Sequence, residues 1–267
     1  LLFWDAENFP QVTPNVAKSW EVSEDGTTIT VHLRQGAKWS DGVPFTSADI
    51  MFWYEYIYQN EEIVPVRSSF FNIDNGATLE APDDYTVVFT FPNPNSIFVD
   101  VLASSVNVFG GNAIFGNAGM GGFAPAHYLE QFHPDFVDQA DLDALAAEQG
   151  FDNWVNLFKD KNTWARNPDL PVLTPWKTVN PITTDNWVLE RNPYYFGVDT
   201  AGNQLPYIDE IQYLKGPSGI GRDLCTIAGD CDHMNLENPS TFVEAMTQAQ
   251  SPDASYTVTW GPETLGY

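Results

Sequence analysis

The side chains able to do chemistry in this chain are many but scattered. Thirty-six acidic residues stand beside four histidines and two cysteines. Paired carboxylates are the machinery of glycoside hydrolysis, one acting as acid and the other as nucleophile or base. With acids this abundant some pair always falls close together, so their presence selects no reaction. No G-x-S-x-G elbow and no H-E-x-x-H helix occurs, and His32, His127, His133 and His233 form no local constellation. His127 and His133 lack an acidic partner at zinc-site spacing. Cys225 and Cys231 enclose the run TIAGD. They could close a disulfide in an oxidising compartment or stand as two buried thiols; two cysteines alone do not complete a zinc site. The run GGNAIFGNAGMGGF carries six glycines. A phosphate cradle requires G-x-x-x-x-G-K-[ST], and no lysine follows, so the run reads as a flexible loop able to line a cleft. The expectation is a protein without metal, cofactor or catalytic residues, with a secreted glycoside hydrolase or other carbohydrate-active enzyme as the alternative.

Charge narrows the partners. The 36 acids face only 11 bases, a formal charge of −25. Nucleic acid needs clustered Lys and Arg to neutralise phosphates, and an anionic membrane surface needs the same, so both are disfavoured. An acidic field attracts cationic ligands, but it is also what a solvated, soluble surface looks like. No apolar run of about 18 residues is present to span a bilayer. The chain opens on Leu1 with neither a basic n-region nor a small-residue cleavage site, and the expectation is a piece of something longer.

The elements that must position any site are legible from the alternation of residue types. Residues 19–22 form a short extended piece, and Ser23-Glu24-Asp25-Gly26 supplies turn chemistry. Residues 28–34 then alternate, with Ile29, Val31 and Leu33 on one face, which predicts a half-buried strand and a hairpin. Thr46 with Asp49 three positions on fits a capping box. On the helix it starts, Ile50, Trp53, Tyr54, Ile57 and Tyr58 share one apolar face. Residues 79–80 and 85–91, joined by an acidic turn, predict a second hairpin that Pro92 and Pro94 terminate. Helices are expected over 141–149, 153–161 and 239–249, and a strand over 256–260. The proline-punctuated run 167–176 reads as a boundary. Of the nine tryptophans, which suit stacking on sugar rings, Trp20, Trp39 and Trp53 fall within these patterned elements and read as core. Trp4, Trp176 and Trp260 are less constrained.

The stretch PNVAKSWEVSEDGTTITVHLRQGAKWSDGVPFTSADI resembles the opening motif of the family 5 extracytoplasmic solute-binding proteins, the oligopeptide- and dipeptide-binding type that serves ABC importers. Further along, APAHYLEQFHP is similar to the family's segment between subdomains. The run LTPWKTV through NWVLERNPYYFG to LPYIDEIQYL is similar to its second conserved stretch. Thr174-Pro175-Trp176 stands where Gly-Pro-Tyr is usual, a departure shared with a branch that includes cello-oligosaccharide binders.

The resemblance implies a mixed α+β (α/β) fold, a lobe of the type II periplasmic-binding-protein kind with an extra subdomain, and a further helix over 220–228. In that scheme residues 5–165 are the extra subdomain and 166–267 a returning part of the first main domain. The second lobe lies in a chain about twice this length, so this piece alone holds half a cleft. It also implies a monomer, periplasmic or extracellular and associated with the membrane through the transporter or a lipid anchor. Such a protein hands a small-molecule ligand, an oligopeptide or an oligosaccharide, to a membrane permease. Carried onto this sequence, the cleft residues are Met234, Asn235 and Glu237, with Trp4 and the stretch Asn107, Phe109, Gly110 as further lining. The capped helix and Trp39-Ser40-Asp41-Gly42 are expected to be buried framework.

Overall fold

The computed structural model describes residues 1–4, 11–103, 122–214, 228, 231–232, 239–252 and 257. The helix expected over 220–228 and the strand over 256–260 lie almost entirely outside those residues. Chain contacts divide the molecule into two compact units, Leu1–Gln212 and Tyr213–Leu265. No helix among the described residues is long and apolar enough to cross a membrane.

In the first unit, β1 (Leu2–Trp4) and β2 (Val12–Pro14) form an antiparallel ribbon in which Trp4 pairs with Val12. A four-stranded antiparallel sheet follows, built from β3 (Ala17–Val22), β4 (Thr28–Leu33), β5 (Thr78–Asp83) and β6 (Thr86–Thr90) in the order β3-β4-β6-β5. Its register is dictated by alternation. Ile29, Val31 and Leu33 are fully buried while Thr28, Thr30 and His32 are half-buried. Ile29 pairs with Phe89 and Val31 with Val87, so the buried faces of two strands coincide. A slip of one residue would turn every one of these side chains to solvent. The β3–β4 turn closes as its residues require: Ser23 N donates to Thr28 O at 2.9 Å, the Asp25 carboxylate accepts from the Thr27 amide at 3.1 Å, and Gly26 supplies φ 68°.

Helix α1 (Ser47–Phe52) starts at the expected box: Thr46 Oγ1 accepts from the Ala48 amide at 3.3 Å, and Asp49 Oδ2 accepts from the Thr46 amide at 3.0 Å. It does not continue as an α-helix. From Trp53 to Tyr58 the chain winds as a π-helix, one residue wider per turn, and this re-aims the aromatic face. Ile50, Trp53, Ile57 and Tyr58 remain fully buried, but Tyr54 is only half-buried. Tyr58 donates its hydroxyl to Phe71 O at 2.5 Å. Phe71 in turn meets Phe89, Phe91 and Phe98 at ring separations of 5.5 to 6.0 Å. The Phe89 and Phe91 contacts are edge-to-face, a geometry that adds to area burial.

Helices α2 (Phe98–Ala103), α3 (Ala126–Leu129), α4 (Gln139–Glu148) and α5 (Trp154–Lys161) complete this part of the unit. α4 and α5 match the expected helices to within two residues. α2 packs on β1 and β2. A three-stranded sheet, β7 (Trp176–Asn180), β8 (Asn186–Arg191) and β9 (Glu210–Leu214), lies beyond. The run 167–176 is no loose tether: Leu170, Val172 and Leu173 are buried. Trp39 is fully buried as expected, Ser40 and Gly42 are half-buried, and Asp41 is exposed. In the second unit the described helix is α6 (Pro239–Ala249), the span expected for it.

Candidate ligand-binding site

Two sequence-distant motifs lock together in the first unit. Ser40 N donates to Val172 O at 2.9 Å, and Val172 N donates back to Ser40 Oγ at 3.0 Å. Buried Asn192 donates its amide to Thr174 O at 3.0 Å. Gly42, at φ 93°, lies flat under the Tyr194 ring, where a Cβ would come within 3.0 Å of Cζ. Lys38 and Arg34 sit over the Tyr194 and Phe196 rings at 5.5 and 5.6 Å. The run 34–42 and the run 192–196 are therefore one packed frame, and their side chains are engaged in holding it.

His127 and His133 are likewise occupied structurally. His127 Nε2 lies 2.8 Å from Asp41 Oδ2, the pairing that orients a general base in hydrolases. No Ser, Thr or Cys side chain bonds to either histidine nitrogen among the described residues, so the nucleophile of such a relay is missing there. His133 is 1% exposed in a box of Tyr56, Phe136, Trp154 and Phe158, with ring separations of 5.4 to 6.0 Å. Its Nε2–H donates to Tyr56 O at 3.0 Å, and Nδ1 accepts from the Asp135 amide at 3.3 Å. Burial holds its pKa below the usual histidine value, against the pull of the Asp135 carboxylate. Asp49 is pushed up by burial, opposed by its bonds to the Thr46 and Ala126 amides. No group of three or more His, Cys, Asp or Glu side chains is placed to hold a metal among the described residues.

Of the residues expected at the cleft, Met234, Asn235, Glu237, Asn107, Phe109 and Gly110 lie outside the described residues. The backbone of Trp4 is placed: it ends β1, opposite Val12. Because α2 packs on β1 and β2, the strand carrying Trp4 is brought against the helix whose chain leads on to Asn107. Beside Trp4, Phe3 is 60% exposed, an apolar ring on the ribbon that alternation in so short a strand does not single out. Cys231 is disulfide-bonded; Cys225, the chain's other cysteine, lies outside the described residues. Trp176 is half-buried and donates its indole N–H to Ile208 O at 3.1 Å. Trp164 and Trp187 form a half-buried pair 5.4 Å apart, which no spacing in the sequence reveals.

The model of the bacterial extracellular solute-binding proteins, family 5 (middle), matches residues 11–264. The periplasmic alpha-galactoside-binding protein of Rhizobium meliloti is 37% identical over 95% of this chain, which spans 33% of that relative. A solved oligopeptide-binding protein OppA aligns with a TM-score of 0.80 and 37% identity, covering 93% of this chain and 38% of its own. MelB from agrobacterium fabrum C58, solved in complex with stachyose, aligns with a TM-score of 0.72 and 34% identity, covering 95% and 34%. The chain thus spans about a third of the relatives it matches, rather than the half expected from the motifs. Fold and motifs agree along nearly its whole length, and the chain belongs to the family 5 bacterial extracellular solute-binding proteins.

Proposed function

We propose that the protein is the extracytoplasmic solute-binding component of an ABC importer, and that it captures a neutral oligosaccharide between two lobes and presents it to a membrane permease. The observation that carries this is the 37% identity to an alpha-galactoside-binding protein over 95% of the chain. MelB with stachyose, similar over the same share, supports the ligand class, as does Trp176 where the peptide-binding pattern has tyrosine. An oligopeptide is the second reading, supported by the likeness to the oligopeptide-binding protein OppA. Residues 5–165 make the extra subdomain, with its own four-stranded sheet, and 166–267 return to the first main domain. Met234, Asn235, Glu237, Trp4, Asn107, Phe109 and Gly110 line the cleft, and hinge closure traps the ligand. The protein works as a monomer, periplasmic or extracellular, and has no catalytic role. A ligand that binds only the folded state raises its melting temperature. Thermal shift with stachyose, raffinose and a set of tripeptides on the full-length protein tests the reading. Stabilisation by the sugars alone supports it. Stabilisation by peptides alone moves the assignment to the second reading, and release of monosaccharide during the incubation overturns the non-catalytic role.

A further inference from the structure

We propose that a shallow groove between residues 69–77 and 91–97 is a second, weaker binding site for a neutral polyhydroxylated ligand, separate from the cleft assigned above. The groove holds about 420 Å³ and is open to solvent, which suits a weak site rather than an enclosed one. None of the side chains lining it is charged, although the chain carries a formal charge of −25. An uncharged depression in such a surface offers no counter-charge to an ion and imposes no charge burial on a neutral guest. Its polar side chains are the Ser69 hydroxyl and the amides of Asn72, Asn75, Asn93 and Asn95. Two of these amides are partly committed. Asn72 Oδ1 accepts from the Asp74 and Asn75 amides at 3.0 and 3.2 Å, and Asn95 Nδ2 donates to Phe70 O at 3.1 Å.

The Asn95 bond ties one wall to the other, the Asn72 bonds hold its own wall, and Asn72 Nδ2 and Asn95 Oδ1 are left to spare. Asn75 and Asn93 are exposed, with both amide groups unspent among the described residues. A side-chain amide offers a donor and an acceptor side by side, which is what adjacent sugar hydroxyls require. The Phe70 ring, 39% exposed on the same wall, supplies an apolar face for the C–H side of a pyranose. Rigidity limits the ordering cost: Pro92 and Pro94 fix one wall, and Asn95 N is held by Gly26 O at 3.0 Å.

The test follows the side-chain amide signals of Asn75 and Asn93 by NMR in the full-length protein. Maltotriose, trialanine and glutamate are each titrated after the cleft has been saturated with its own ligand. The expected result is a saturable shift of both signals with maltotriose, in the millimolar range, and none with trialanine or glutamate. Asn93→Ala should abolish the remaining Asn75 shift, with melting temperature and cleft-ligand thermal shift unchanged. Unmoved signals at maltotriose saturation of the solution, or equal shifts with trialanine, overturn the proposal. The cleft reading stands or falls separately, on the thermal shift of the unmodified protein.

Discussion

Ser40 and Val172, 132 positions apart, exchange two hydrogen bonds: the serine amide donates to the valine carbonyl at 2.9 Å, and the valine amide donates to the serine hydroxyl at 3.0 Å. Val172 is 2% exposed, so water cannot replace a lost partner. Leaving a buried donor unsatisfied costs about 1–3 kcal/mol. Ser40→Ala is expected to lower the unfolding free energy by that amount, seen as a lower urea midpoint with an unchanged slope, and Ser40→Thr, which keeps the hydroxyl, to lower it less.

Gly42 and Gly36 separate two effects that glycines usually combine. Both have positive φ, but a Cβ at Gly36 meets nothing within 4 Å, whereas at Gly42 it meets the Tyr194 ring at 3.0 Å. Gly36→Ala should cost the left-handed backbone penalty alone, about 1–2 kcal/mol. Gly42→Ala should cost more, and the excess should disappear when Tyr194→Ala is added. Denaturation of the four variants measures the cycle; an equal cost at both glycines contradicts the close approach.

His133 sets a pH dependence. Its pKa in the folded protein lies below the unfolded value of about 6.5. The unfolded chain therefore binds more protons between the two values, so stability is complete above the unfolded value. It is lost as the pH falls from there through the folded one. Protonation would turn Nδ1 from acceptor to donor against the Asp135 amide it now accepts from. Melting temperature should fall as the pH is lowered from 7.5 to 5, and His133→Gln should flatten that slope while lowering stability at neutral pH.

The lining assigned to the cleft makes a sharper demand. Removing a hydrogen-bonding side chain from a desolvated site typically costs about 1–3 kcal/mol, or roughly ten- to a hundredfold in affinity. Asn235→Ala and Glu237→Ala in the full-length protein should each weaken ligand binding by such a factor without shifting the unliganded melting temperature. Titration calorimetry reads both; unchanged affinity in both variants removes these residues from the cleft.

Elements with strict periodicity could be read before any coordinates. β4 announces itself because Ile29, Val31 and Leu33 must share a face, and α1 because Thr46 and Asp49 can only cap. The motifs that these elements carry also named the family. The π-winding at Trp53–Tyr58 was not legible, since apolar spacing there fits an α-helix and tertiary packing of Tyr58 on Phe71 decides otherwise. Neither was the locking of residues 34–42 onto 192–196, nor the pairing of Trp164 with Trp187, because contacts between distant segments leave no local period. Of the cleft, the resemblance named candidate residues, most of which lie outside the described residues, and the structure shows the strand of Trp4 packed against α2.

The central claim is capture of a neutral oligosaccharide by a non-catalytic binding protein. Titration calorimetry of the full-length protein with stachyose tests it most directly. The expected result is one tight saturable site per molecule, distinct from the millimolar filling of the groove, with stachyose recovered intact and tripeptides giving no heat. Absence of stachyose binding together with saturable tripeptide binding would contradict it.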